Sequence, residues 1–292
     1  MPCDRTFEQL LDYVRTARGF DYTGYKRPSL MRRFQKRMQV VKAANWDEYR
    51  ARLDSDAGEF AALFDTILIN VTGFFRDAEA WQFMASDVIP RILAQKSARS
   101  PIRIWSAGCA SGEEPYSLAM LFAEAIGDDE LKQRVKIYAT DVDEEALTQA
   151  RHAIYTEKQL AGVPEELRGR YFTGANHNLS FRTDLRRVVI FGRNDLMQDP
   201  PISRVDLLVS RNTLMYFNAP AQERILSNFY FALTRRGYLM LGKAESLQRR
   251  GDLFVPYDLK RRVFTRNTAP DVEPRAARLP VLPDEEIGRA HV

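Results

Sequence analysis

Cysteine and histidine are scarce in this 292-residue chain. Cys3 and Cys109 are too few for a disulfide framework, and their use fits a reducing compartment. His152, His177 and His291 are scattered and make no metal-ligand spacing with the cysteines, so no metal is expected. No apolar run approaches the roughly 18–20 residues that cross a bilayer. The start, "MPCDRTFEQLLDYV", has no basic stretch followed by an apolar one, so no leader is expected and a cytoplasmic protein is. A net charge of +4 is too mild to call for nucleic acid. The rest of the composition, 45% hydrophobic and 28% charged, is that of a soluble globular protein of one large domain or two small ones.

Residues 1–95 read as helical. "TFEQLLDYVRTARGF" sets Phe7, Leu10, Leu11 and Val14 at helical spacing, with Gly19 as the stop. "PSLMRRFQKRMQVV" offers Ser29 as N-cap and Leu30, Phe34 and Met38 as one stripe. From about residue 101, short apolar runs alternate with helical patterns: "IRIWSAG", "VKIYATDVD", "RRVVIFGRND", "VDLLVSRN" and "GYLMLGK". Such alternation predicts an α/β fold with a parallel, doubly wound sheet. "KRRVFTRN" is a candidate closing strand. Residues 160–187 break the rhythm and predict a small antiparallel insertion. The tail after about 267, rich in Pro, Ala and charge, is expected to be disordered.

The turn "SAGCASGEEPYSLAM" (106–120) raises the functional question. A strand-to-helix turn of this kind usually carries several glycines and holds a phosphate. Here only Gly108 and Gly112 are present, and Glu113 and Glu114 would repel one. Asp141, at the end of the second strand, sits where nucleotide folds place an acid for ribose hydroxyls. Arg211 and Asn212 end a later strand. An acid for ribose plus a glutamate at the turn suits a nucleoside carrying positive charge, and S-adenosylmethionine is such a molecule. The plain alternative is that the glutamates only complement the helix macrodipole. Spacing alone leaves both readings open.

Four blocks carry a resemblance: "NVTGFFRD" (70–77), "RIWSAGCASGEEPYSLAM" (103–120), "IYATDVDEEALTQARHAIY" (137–155) and "DLLVSRNTLMYFN" (206–218). Their combination and order resemble the chemotaxis-receptor glutamate O-methyltransferase family, from about residue 5 to about 267. The resemblance implies an N-terminal all-helical substrate-docking domain (1–95) and a Rossmann-like class I methyltransferase domain (96–267). The latter would carry a small antiparallel β-subdomain insertion at about 160–190, before a tail at 268–292. It implies S-adenosylmethionine as cofactor, with S-adenosylhomocysteine as product, bound between the domains. By motif position Asn70, Thr72 and Arg76 would reach the cofactor from the helical side. Glu114 and Asp141 would hold its methionine and adenosine parts, Asp141 on the ribose. Asn194 and Asp195 would flank the adenine, and Arg211 and Asn212 would complete the pocket. The chain departs from the family pattern at Asp195, Thr213 and Met215.

Methyl transfer to a carboxylate needs no strong base, since a glutamate of pKa near ~4.3 is already ionised at neutral pH. Arg76 and Tyr216 are therefore assigned to orienting the acceptor rather than to acid–base work. The run "YKRPSLMRRFQKRMQVVK" (25–42) is basic without an acid. Arg32, Arg33, Lys36 and Arg37 in it read either as a solvated face or as a docking surface for an acidic partner. The expected partner is the helical bundle of a methyl-accepting chemoreceptor, with no nucleic acid, no membrane insertion and a monomeric enzyme. Three rivals stand beside this reading: carboxyl methylation of another signalling protein such as a sensory kinase, a non-catalytic S-adenosylmethionine-binding scaffold, and a small-molecule or RNA methyltransferase, which the helical N-terminal block and "NVTGFFRD" weaken.

Overall fold

The computed structural model describes residues 5–68, 70–175, 178–247 and 251–269. The expectations for His177, His291 and nearly all of the tail lie outside these residues. α1 (Arg5–Arg18) buries Phe7, Leu10, Leu11 and Val14, the stripe its spacing predicts, and Gly19 follows it at φ 70°. α2 (Arg27–Val41) buries Leu30, Phe34 and Met38. It begins two residues before the expected Ser29 cap. Pro28 suits a first helical turn, where no amide is needed, and the Ser29 and Leu30 amides close on the Lys26 carbonyl. α3 (Trp46–Ser55) and α4 (Ala57–Ile67) start at the Asn45 and Asp56 side chains, which accept from the Glu48 and Gly58 amides. Phe34 meets Phe7 edge-on at 5.3 Å and Tyr49 at 6.2 Å, at the centre of a core that runs from Phe7 to Ile67.

α5 (Ala78–Phe83), a π-helical turn (Met84–Val88) and α6 (Ile89–Ala94) run on as one rod. The sequence groups this rod with the helices before it. Its Trp81, Met84, Val88 and Ile92 instead share the core of the sheet, so the helical domain's own core ends near Ile67 rather than 95.

β1 (Ile102–Ala107) leads to α7 (Glu113–Ile126), α8 (Asp128–Arg134), β2 (Val135–Asp141) and α9 (Glu144–His152). β3 (Ile154–Thr156), α10 (Glu165–Tyr171), β4 (Phe172–Ala175), β5 (Asn178–Phe181) and α11 (Thr183–Arg186) form the insertion. β3, β4 and β5 make a separate antiparallel sheet in the order β3-β5-β4, which starts slightly earlier than expected because Ile154 pairs with Ser180. β6 (Val189–Arg193), β7 (Val205–Ser210), α12 (Ala219–Ala232), β8 (Leu233–Leu241), β9 (Phe254–Asp258) and β10 (Val263–Arg266) follow. The main sheet runs β6-β2-β1-β7-β8-β10-β9, parallel from β6 to β8, with β10 antiparallel to both its neighbours. β9 escapes sequence patterning because it carries Pro256, which an edge strand tolerates. Strand order reverses between β1 and β7, the switch point where such sheets bind ligands.

The helical domain is stitched to the sheet domain beside this point. Tyr25 and Phe217 form an antiparallel bridge, the Lys26 amide donates to the Tyr216 carbonyl at 2.9 Å, and the Asn218 amide donates to the Gly24 carbonyl at 2.8 Å. On the other side Asn70 Nδ2 donates to an Asp143 carboxylate oxygen at 2.6 Å.

One expected docking residue has a different duty. Arg37 turns inward, its Nε 2.9 Å from Glu59 Oε1, and Tyr49 donates its hydroxyl to the same oxygen at 2.8 Å. Glu59 is buried at 4% exposure, so its charge needs these partners. Arg37→Ala should cost about 3 kcal/mol in a urea denaturation series, whereas Arg32→Ala, on the exposed face, should stay within about 0.5 kcal/mol.

Candidate active site

The turn after β1 answers the question of its two glutamates. Gly108 and Gly112 stand at φ 83° and 94°, and both allow close approach. A Cβ on Gly108 would lie 2.3 Å from Thr213 Oγ1, and one on Gly112 would lie 2.9 Å from the Ala150 Cβ. These glycines serve protein packing rather than a phosphate. Glu113 turns away and accepts from Ser111 Oγ at 2.8 Å, while Glu114 faces a cleft and accepts from Ser106 Oγ at 2.8 Å. Burial pushes the Glu114 carboxyl up to about 7, against the pull of the Arg211 charge.

At the end of β2, Asp141 accepts from the Ala110 amide at 2.8 Å and the Asp143 amide at 3.1 Å, which ties this acid to the first turn. Burial raises it from the usual carboxylate range, opposed by these amides. Asp143 caps α9 through the Glu145 and Ala146 amides. After β6, the Asn194 amide donates to the Asp141 carbonyl at 2.9 Å. Asp195 receives the Met197 amide at 2.8 Å, so the residue that departs from the family pattern shapes its own loop.

After β7, Asn212 takes a left-handed φ of 61°. Glu245, buried at 3% exposure, accepts the amides of Asn212, Thr213, Leu214 and Gly242 at 2.7–3.1 Å and so fixes this loop. Sequence reasoning missed Glu245. Its only signal is an acid shortly after a strand, in "GKAES".

The segment 70–77 closes the cleft from above. Phe74 packs edge-on against Tyr155 at 4.9 Å and against Phe172 at 5.5 Å. The Phe75 amide donates to Ser117 Oγ at 3.2 Å. Phe75 and Asp77 sit at φ 49° and 64°, strain that these anchors hold. Arg76 stays exposed at the mouth and donates to the Val71 carbonyl at 3.0 Å. Asp77 pairs with Arg211 and, at 2.9 Å, with Lys243. Burial alone would raise its carboxyl, but Lys243 and Arg211 hold it below the usual range.

Asn70, Thr72, Arg76, Glu114, Asp141, Asn194, Asp195, Arg211, Asn212 and Tyr216 all line this one cleft, which holds about 990 Å³ of empty space including its open mouth. Tyr25, Leu196 and Phe217, not singled out in the sequence, line it as well. Two buried polar atoms of the lining, Asn194 Oδ1 and Arg211 Nε, have no hydrogen-bond partner among the described residues. A molecule with an acceptor for the guanidinium and a donor for the carboxamide is what such atoms need. A positively charged amino-acid nucleoside offers both, together with a cation for Glu114 and hydroxyls for Asp141.

A second, open groove joins the cleft at Leu68, Asn70 and Val71. Arg32, Arg33 and Lys36 line it with Gln35, Gln39 and Asp65. Arg33 donates to the Thr66 carbonyl at 2.6 Å and lines a small cavity with Tyr216. Burial raises the Tyr216 phenol, opposed by the Arg33 and Arg76 charges, so it remains a donor at neutral pH.

The family model described as "CheR methyltransferase, all-alpha domain" matches residues 5–68, and that described as "CheR methyltransferase, SAM binding domain" matches residues 70–263. Its boundary coincides with the end of the helical core. An uncharacterized 104.1 kDa protein of Rhodobacter capsulatus is 36% identical over 90% of this chain, which spans only 28% of that protein's length. A chemotaxis protein methyltransferase of Borreliella burgdorferi is 30% identical over 82% of this chain and 87% of its own. One of Listeria innocua is 32% identical over 78% of this chain and 85% of its own.

Glu114 gives a pH signature. Free, its carboxyl titrates near 7; an ammonium bound beside it would favour the ionised form and draw its pKa down. Binding of S-adenosylhomocysteine should therefore release a proton at pH 6–7, and affinity should fall as pH drops through this range. Calorimetry in buffers of different ionisation enthalpy measures the release, which should vanish at pH 9 and in Glu114→Gln.

Proposed function

We propose that this chain, which belongs to the CheR methyltransferase family, transfers a methyl group from S-adenosylmethionine to glutamate side chains of chemoreceptors in chemosensory adaptation. The observation that carries the reading is the junction of two spaces: a cleft with partners for a cationic nucleoside opens, at Asn70 and Val71, into a groove lined by cations. A small-molecule enzyme has no need of such a groove, and an acidic protein surface does.

S-adenosylmethionine supplies a methyl group activated on a sulfonium. The acceptor carboxylate, ionised at neutral pH, forms the new C–O bond while the C–S bond breaks and its electron pair stays on sulfur. The products are a methyl ester and S-adenosylhomocysteine, and no proton moves. This balance fits a site without a nucleophile–base pair. The residues' work is to strip water from the carboxylate and aim it. Tyr216 and Arg76, at the mouth, are suited to orient it. The exposure of Arg76 limits ground-state attraction that would blunt the nucleophile. Glu114 would receive the cofactor's ammonium, Arg211 its carboxylate, Asp141 the ribose hydroxyls and Asn194 the adenine amino group. Thr72, Asn212 and Asp195 complete the walls, and Asn70 holds the turn through Asp143.

Arg32 and Lys36, with Arg33 beside Tyr216, would dock an acidic helical bundle across the groove. No helix among the described residues is long and apolar enough to cross a membrane, and we assign the enzyme to the cytoplasm as a monomer that meets its receptor there.

Labelled methyl from S-adenosylmethionine should enter a membrane protein of the source organism and be released as methanol by mild alkali, because carboxyl esters hydrolyse and N-methyl groups do not. Label on soluble proteins alone would point to a kinase-type partner, and alkali-stable label would contradict the reaction class. Charge reversal of Arg32 and Lys36 together should raise KM for the receptor about tenfold or more, while the affinity for S-adenosylhomocysteine stays the same.

A further inference from the structure

The groove that opens into the cleft has two walls of different charge. One wall is α2, which brings Arg32, Arg33 and Lys36 to it. The other is the last turn of α4 and the chain that follows it as far as Val71, which carries one acid, Asp65, and no base. Asp65 is exposed and has no hydrogen-bond or ion-pair partner among the described residues. The arginines of α2 that could serve it are directed elsewhere. Arg33 donates to the Thr66 carbonyl at 2.6 Å, and Arg37 Nε donates to Glu59 Oε1 at 2.9 Å. Asp143, a second acid whose charge Asp65 feels, is by contrast occupied by Asn70 Nδ2 and by the first amides of α9. Burial and the Asp143 charge hold the Asp65 carboxyl above the usual range, against the pull of Arg37. A cation beside Asp65 would relieve both effects.

A helical segment lying along the groove turns different faces to the two walls. Acids on one face meet Arg32 and Lys36. On the other face an acid would be repelled by Asp65, and a lysine or arginine would be drawn to it. We propose that Asp65 is a specificity determinant of docking, which takes a cation of the substrate segment on the side away from the acids that meet α2. The inference rests on the receptor reading. It narrows the substrate from any acidic surface to an acidic helix with a basic residue on one side. The discrimination comes from rejection as well as attraction: a segment acidic all round gains at α2 and is penalised at Asp65.

The sign of one measurement separates this role from plain attraction. Removing an acid makes the groove more basic. If the groove only gathers negative charge, Asp65→Asn and Asp65→Lys should lower KM for the membrane receptor that accepts labelled methyl. A partner for a cation requires the opposite. KM should rise about threefold in Asp65→Asn and about tenfold in Asp65→Lys, with kcat and the affinity for S-adenosylhomocysteine unchanged. The unchanged affinity also reports that each variant is folded. Rescue identifies the partner: lysine- or arginine-to-glutamate changes are made one at a time in the methylated segment of that receptor. One of them should restore most of the KM lost in Asp65→Lys and weaken methylation by the wild type. A KM that falls or stays the same in both Asp65 variants overturns the role of Asp65 and leaves the receptor reading standing, as does failure of every receptor change to rescue Asp65→Lys. A wild type that labels no protein overturns the receptor reading, and the role of Asp65 with it.

Discussion

Amides left over where strands end must find acceptors, and in this protein buried carboxylates provide them. Glu245 gathers four backbone N–H groups from the loop after β7 and from Gly242. Asp141 gathers Ala110 and Asp143, and Asp143 gathers the first amides of α9. An unpaired buried amide is costly, so each of these acids fixes a loop that would otherwise rearrange. The cleft walls thus have their shape before a ligand arrives, and a reaction that depends on aiming one carboxylate at one carbon depends on such walls.

The remaining polar groups divide between holding the domains together and waiting for a ligand. Asp77 bridges Arg211 and Lys243, and Asn70 reaches Asp143, so the strained segment between Asn70 and Asp77 is pinned at both ends. Arg211 pairs its outer nitrogen with Asp77, while its buried Nε has no partner among the described residues. Among the described residues Glu114 has one neutral hydrogen-bond donor, Ser106, and no paired cation, and burial pushes its carboxyl up to about 7. A cationic ligand would correct that imbalance.

Much of this was legible in the sequence. The strand-and-helix alternation, the poor glycine content of the first turn and the acid at Asp141 are local features, and the chosen cofactor residues meet in one cleft. What was not legible depends on distant partners. The exposure of a helical arginine is set by what packs beside it, and Glu59, 22 residues away, turns Arg37 inward. Ser29 looks like a cap until Pro28 is seen to fit the first turn. Residues 78–94 form a helical rod, and helical periodicity says nothing about whether its apolar face meets helices or a sheet. Tyr25 reads as one aromatic among several, and only its bridge to Phe217, nearly two hundred residues on, brings it over the cleft.

The proposed residue roles give the cofactor one polarity: amino-acid arm over β1 and β7, ribose at β2, adenine beyond β6. Crystals grown with S-adenosylhomocysteine should show the ligand's amino group on Glu114, its ribose hydroxyls on Asp141 and its adenine beside Asn194. A ligand lying the other way round, or outside this cleft, would overturn the proposed roles.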